Sequence, residues 1–159
     1  CIRDRDYENV YVAQIAYGAK DVQTLRAFME AEAHPGPSII IAYAPCTAHG
    51  LSLLDNHRHQ EMAVKSGHWP LFRFDPKLSE QGERPLKLDS PEPSMPYQEY
   101  MQTEGRFSVL WQTHPDDAER FLKQAQHEVD HRYRFLKQLS EMDWDEHKNA
   151  TAETKTDSV

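Results

Sequence analysis

The sequence predicts an α/β protein: part of an open, mostly parallel sheet, followed by an extended arm and a long C-terminal helix. Three observations carry this expectation. Two apolar, β-branched runs, "VYVAQIA" and "SIIIAYA", flank a helical pattern over residues 21–33. Residues 75–112 are interrupted by prolines, and residues 113–140 carry a sustained apolar stripe of helical period. Strand, helix and strand in that order read as one βαβ unit with a right-handed crossover.

The first run, Val10 to Ala16, has the β-branched and aromatic content of a buried strand, and Gly18 breaks it. From Asp21, "DVQTLRAFMEAEA" sets Val22, Leu25, Phe28, Met29 and Ala33 at helical spacing, with Asp21 as N-cap. "HPGP" ends that helix. The near-continuous apolar run Ser38 to Ala44 suits a strand covered on both faces. A second helix is expected over Asn56 to Gly67 with Met62 and Ala63 inward and Gly67 closing it, then a short strand over Leu71 to Phe74. Pro76, Pro85, Pro91, Pro93 and Pro96 mark an arm that wraps a surface, since a free loop of that length is unusual in a compact domain. "FSVLW" reads as a short strand or the start of a turn. The last helix is expected from near Asp116, with Thr113 and Asp116 resembling a capping box. Its stripe is Ala118, Phe121, Leu122, Ala125, Val129, Tyr133, Leu136 and Leu139. The expected division is therefore 1–74 for the α/β part, 75–112 for the arm, 113–140 for the helix and 141–159 for a flexible tail.

Eighteen Lys and Arg against twenty-six Asp and Glu give a net charge of -8, which argues against a general attraction to nucleic acid. No apolar run approaches the roughly 18–20 residues that span a bilayer, and no secretory leader is visible. A cytoplasmic protein is expected. Cys1 and Cys46 do not make a disulfide framework, and a chain opening on Cys1 reads as processed or excised.

Cys46 is the residue with most chemical interest. It follows Pro45 just beyond the C-terminal end of an apolar strand, where ligands collect in open α/β sheets. Position alone leaves it open between a functional thiol and a buried core residue. A single cysteine does not hold an iron–sulfur cluster, which needs four ligands. His49 is a candidate base for a Cys–His pair, although three residues along a turn is poor geometry for one. His57 and His59 diverge on a helix, which favours a solvated surface over a metal site, and His68 with Trp69 suits packing at a helix end. There is no GxGxxG, GxxxxGK[ST] or CxxC. No complete catalytic constellation is present.

The stretches "NVYVAQIAYGAKDVQTLRAFMEAEAHPGPSIIIAYAPCTAHG", "MAVKSGHWPLFRFDPKLSEQGERPLKLDSPEP" and "FSVLWQTHPDDAERFLKQAQHEVDHRY" occur in an order that resembles the pyruvate:ferredoxin (flavodoxin) oxidoreductase family. The resemblance covers residues 9 to about 139 and falls on the distal part of the thiamine diphosphate domain and the following C-terminal segment. It implies a thiamine diphosphate-binding-like fold and the oxidative decarboxylation of pyruvate or another 2-oxo acid to an acyl-CoA. Electrons would pass through [4Fe–4S] clusters to ferredoxin or flavodoxin. It implies that Cys46 is the fourth ligand of the cluster nearest the thiamine, with Ala44, Pro45, His49 and Gly50 shaping the ligand loop. Thiamine diphosphate, Mg2+, the remaining cluster ligands and coenzyme A contacts would belong to the full-length enzyme, a homodimer; the isolated chain would bind none of these cofactors. In "LSLLDNHRHQ" the sequence departs from a stretch that is glycine-rich in the family, and "CTA" stands where "CIN" is usual. The chain is thus expected to be a C-terminal portion of such an oxidoreductase that docks on upstream domains of the same polypeptide and is inactive by itself. The alternatives are a non-catalytic interaction module derived from the scaffold and a small enzyme using Cys46 as nucleophile.

Overall fold

A computed structural model describes residues 9–49 and 51–143. Strand β1 (Tyr11–Ile15), helix α1 (Asp21–Ala33) and strand β2 (Ser38–Ala42) form the expected βαβ unit. β1 and β2 are parallel, in register from Tyr11 opposite Ser38 to Ile15 opposite Ala42. After α2 (Asn56–Lys65), strand β3 (Phe72–Phe74) runs antiparallel to β1. The sheet order is β2-β1-β3-β4, with β4 (Leu86–Leu88) antiparallel to β3. The result is an open, mixed sheet flanked by helices, and alternation along each strand sends side chains to two layers.

On one face, Tyr11, Ala13 and Ile15 pack with Ala27 of α1, joined by the partly buried Ala31 and Ile40. On the other, Val10, Val12, Phe72, Phe74 and Leu86 pack under Leu136. Leu136 belongs to α6 (Pro115–Glu141), whose buried residues Ala118, Val129, Tyr133 and Leu136 bear out the stripe expected from the sequence. Phe121 is the member left 44% exposed. Among the described residues no helix is long and apolar enough to cross a membrane.

Several elements differ from expectation, each for a local reason. Asp21 is the first residue of α1 rather than its cap; Lys20 occupies that position without a side-chain cap, and the Asp21 carboxylate accepts the Val22 N–H at 2.7 Å. Similarly, His114 stands at the cap of α6, while the Thr113 hydroxyl donates back to the Val109 carbonyl at 2.9 Å, so the capping box does not form. The proline-rich stretch after β3 carries α3 (Lys77–Glu80), β4, α4 (Tyr97–Met101) and α5 (Gly105–Thr113). "FSVLW" lies within α5 and is helical. β2, expected under cover on both faces, lies at the sheet edge with Ser38, Ile39 and Ala42 exposed, because the described residues place no neighbour beyond it. Residues 144–159, most of the expected tail, lie outside the described residues.

The rotation of α1 is the largest surprise. Gln23, Thr24 and Ala27 face the sheet, whereas Val22, Leu25, Phe28 and Met29 point outward. The inward polar groups meet a buried cation. Arg73 of β3, 4% exposed, donates from Nε to Asp89 Oδ2 at 2.8 Å and from Nη2 to Asp89 Oδ1 at 2.9 Å, and its Nη1 bonds Glu30 of α1. Tyr11 donates its hydroxyl to Glu30 Oε2 at 3.0 Å, and Gln23 Nε2 donates to Asp89 Oδ2 at 3.1 Å. A forked guanidinium thereby joins α1, β3 and the end of β4 across one face of the sheet. Removing the guanidinium leaves the half-buried Glu30 and Asp89 carboxylates without a counter-charge, although both keep some access to water. Arg73→Ala is therefore expected to lower unfolding stability by about 1.5–3 kcal/mol at neutral pH, the scale of charge-assisted hydrogen bonds whose carboxylates can rehydrate. Arg73→Lys should recover only part of this, because an ammonium lacks the fork; urea unfolding of the three proteins checks both.

Candidate functional site

β2 delivers the cysteine. Tyr43 N–H donates to the Ile15 carbonyl at 3.0 Å, extending the parallel ladder one residue past Ala42. Ala44 is exposed and Pro45 half-buried, and the proline's fixed φ stiffens the approach to Cys46. Cys46 is a free, exposed cysteine, so the buried-core alternative for its thiol does not hold. Thr47–His49 then make a short 3-10 turn, which includes the backbone of His49. Gly50 lies outside the described residues. Among the described residues, no three His, Cys, Asp or Glu side chains come together as a metal site.

Directly behind the strand end sits a buried polar cluster that sequence reasoning did not find. The Tyr43 hydroxyl lies 2.9 Å from His59 Nε2 and 2.6 Å from the Tyr100 hydroxyl. Tyr100 donates to Glu104 Oε1 at 2.9 Å, and His59 Nε2 is 3.3 Å from the same oxygen. The Thr103 hydroxyl is within reach of both His59 Nδ1 at 3.0 Å and the Tyr100 carbonyl at 2.7 Å. Arg106 bonds the other Glu104 oxygen. His59 is 2% exposed, and burial pushes its imidazole below the ordinary histidine range, against the pull of Glu104. A neutral His59 protonated on Nε2 gives the run one direction, His59 donating to Tyr43, Tyr43 to Tyr100 and Tyr100 to Glu104, while the Thr103 hydroxyl donates to the Tyr100 carbonyl. Burial likewise raises the Tyr43 and Tyr100 hydroxyls above the ordinary tyrosine value, so both remain donors.

The cluster ties β2, α2 and α4 together where the cysteine loop leaves the sheet. Trp69 reinforces it, meeting Tyr43 edge-on at 5.2 Å and donating its indole N–H to the Ile15 carbonyl at 3.0 Å. His68 stacks on Tyr97 at 5.2 Å and on Tyr100 at 4.8 Å, which is the helix-end packing expected for it. His57 and His59 diverge as expected, His57 reaching the Tyr17 ring at 5.8 Å, but His59 is interior rather than a solvated surface residue. A hollow of about 310 Å³ has Leu51, Asp55, Arg58, His59, Met62 and Thr103 among its lining residues. The spacing Tyr97-x-x-Tyr100-x-x-Thr103 was the available signal for α4's contribution, hidden because the arm showed weak periodicity.

Comparison with known proteins gives consistent results. No family model matches the chain. It is 48% identical over 135 residues to the pyruvate-flavodoxin oxidoreductase of Nostoc sp., a span of 85% of this chain and 11% of that protein. It is 46% identical over 134 residues to the probable pyruvate-flavodoxin oxidoreductase of Escherichia coli, covering 84% of this chain and 11% of that protein. With the pyruvate:ferredoxin oxidoreductase of Moorella thermoacetica it shares 38% identity over 135 residues, 85% of this chain and 12% of that protein. The chain thus corresponds to about one ninth of the length of these relatives.

The cluster predicts two measurable effects. Tyr43→Phe removes the hydroxyl shared by His59 and Tyr100 and is expected to cost about 1–3 kcal/mol in unfolding stability. Tyr17→Phe, at a ring 62% exposed, is the near-neutral control. His68 is held down to about 4, first by burial and then by Arg132. Since the unfolded histidine titrates near 6.5, the unfolded chain binds the proton more readily between those values. The contribution is complete above about pH 6.5 and is lost as pH falls toward 4. His68→Gln should flatten the stability–pH slope in that window by about one proton, measured by urea unfolding across the pH series.

Proposed function

Because the chain belongs, over about 135 residues, to the pyruvate:ferredoxin/flavodoxin oxidoreductase family, we propose that it supplies the cysteine-bearing end of that enzyme's thiamine diphosphate domain. The whole enzyme would oxidise pyruvate or a related 2-oxo acid to its acyl-CoA in the cytoplasm and deliver electrons to flavodoxin or ferredoxin. The observation that carries this reading is the 48% identity across 85% of the chain. The exposed Cys46 thiol at the C-terminal end of a parallel strand supports it.

The residues fit one share of an iron–sulfur site. Thiolate is the ligand such clusters take, and four are needed, whereas the described residues gather no metal-binding group of their own. Cys46 would therefore furnish one ligand and the rest of the longer polypeptide the other three. When bound, the cluster supplies one-electron transfer. The chain's own part is positional: Pro45 limits backbone freedom ahead of Cys46, and the Tyr43–His59–Tyr100 cluster pins the strand end from which the loop departs. By the family resemblance Ala44, His49 and Gly50 would shape the loop with Cys46, Gly50 lying outside the described residues. Thiamine diphosphate, Mg2+ and coenzyme A are assigned to upstream domains of a homodimeric enzyme.

The test is iron and acid-labile sulfide analysis, with thiamine quantified, on the anaerobically purified intact polypeptide and its Cys46→Ala variant. The variant should lose about four iron atoms per chain while keeping thiamine, and its pyruvate-dependent flavodoxin reduction should collapse. Unchanged iron and unchanged electron transfer would remove Cys46 from the ligand set.

A further inference from the structure

We propose that His127 and His131, on the outer side of α6, form a two-imidazole chelate for a late first-row divalent ion of the zinc type. The site is separate from Cys46 and does not depend on the oxidoreductase reading.

Residues 127–131 read His-Glu-Val-Asp-His, the H-E-x-x-H spacing that sets two histidines one turn apart on one side of a helix. They fall inside α6, which is helical throughout this stretch. At about 100° per residue the two histidines straddle the direction opposite Val129. Val129 is 3% exposed and packs with Tyr97, Tyr100 and Met101, so the body of the protein holds this part of the helix from beneath. The spacing of the two histidines is therefore set before any ion arrives.

Both rings are exposed, with centroids 6.5 Å apart and planes within 22° of parallel. Among the described residues no hydrogen bond or ion pair takes up the nitrogens of either ring. The charged groups around them are engaged elsewhere: Lys123 bonds Glu119, Asp130 accepts from Gln126, and Arg132 donates to the His68 carbonyl. Glu128 lines one hollow together with both histidines and adds negative charge beside them.

Neutral imidazole is a ligand for zinc, copper and nickel, whereas magnesium and calcium take oxygen donors. Zinc–nitrogen bonds of about 2.0–2.1 Å require the two rings to turn toward each other, a change of rotamer open to exposed side chains. Once one ring holds the ion, the other meets it at high effective concentration, because the helix carries both. Among the described residues no third His, Cys, Asp or Glu joins them, so water completes the coordination shell.

Zinc titration of the 159-residue chain, followed by NMR of the histidine ring nitrogens, tests the site. Zinc should shift the His127 and His131 resonances together at one ion per chain, and magnesium should leave them in place. His127→Gln or His131→Gln alone should weaken this binding at least about tenfold. The double variant Gln124→His/His127→Gln keeps two histidines on that side of the helix but two turns apart, about 10 Å, and should bind as weakly as the single variants. Circular dichroism should read the same helix content in all of them, and Cys46→Ala should leave the zinc-induced shifts unchanged. Zinc that moves only one of the two rings, or binds the respaced variant as tightly as the wild type, is adventitious binding by surface histidines and overturns the proposal. Unmoved resonances with zinc in large excess overturn it too, as does a chain without helical circular dichroism, since the helix makes the site.

Discussion

The architecture turns on Arg73. A guanidinium buried in the middle of a four-stranded sheet requires carboxylates, and those available come from α1 and from the residue after β4. Satisfying it fixes three things at once: the height of α1 over the sheet, its rotation, and the closure of the β3–β4 pair. An apolar contact of equal area would tolerate a helix turned by some tens of degrees. A forked ion pair with a tyrosine and a glutamine completing its hydrogen bonds does not. The cost is that α1 spends its inward face on Gln23, Thr24 and Glu30 and leaves its large apolar side chains outside.

That constraint explains where the sequence was legible. β1, α1, β2 and α6 follow from local periodicity, and the structure contains them within one or two residues of the expected bounds. The side of α1 that turns inward is not encoded in its own period, because Val22, Leu25, Phe28 and Met29 look like a buried stripe until Arg73, more than forty residues away, is known to lie beneath the other side. β4 and α4 were hidden for a related reason. A three-residue strand exists through its ladder to β3, and α4 through tyrosines that meet α2 and β2, so neither leaves a periodic trace. "FSVLW" shows the limit of propensity: its β-type residues are helical within α5, where Phe107 packs toward the Tyr97–Tyr100 core.

The cysteine loop divides in the same way. Cys46 was legible as a position, a thiol at the end of a strand, and the structure places it exposed there. What stiffens its base was not legible, since Tyr43, His59, Tyr100 and Glu104 come from separate elements and acquire their roles only by meeting. The two histidines of "HRH" illustrate it: one touches a surface tyrosine and the other is sealed inside a hydrogen-bonded cluster, with a single residue between them.

The outward side of α1 has a consequence for how this segment tolerates change. Positions that solvent accessibility would class as surface, and where charge would ordinarily be harmless, carry side chains chosen for an interior. A substitution survey scored on the folding of this segment alone would find Leu25 and Phe28 permissive.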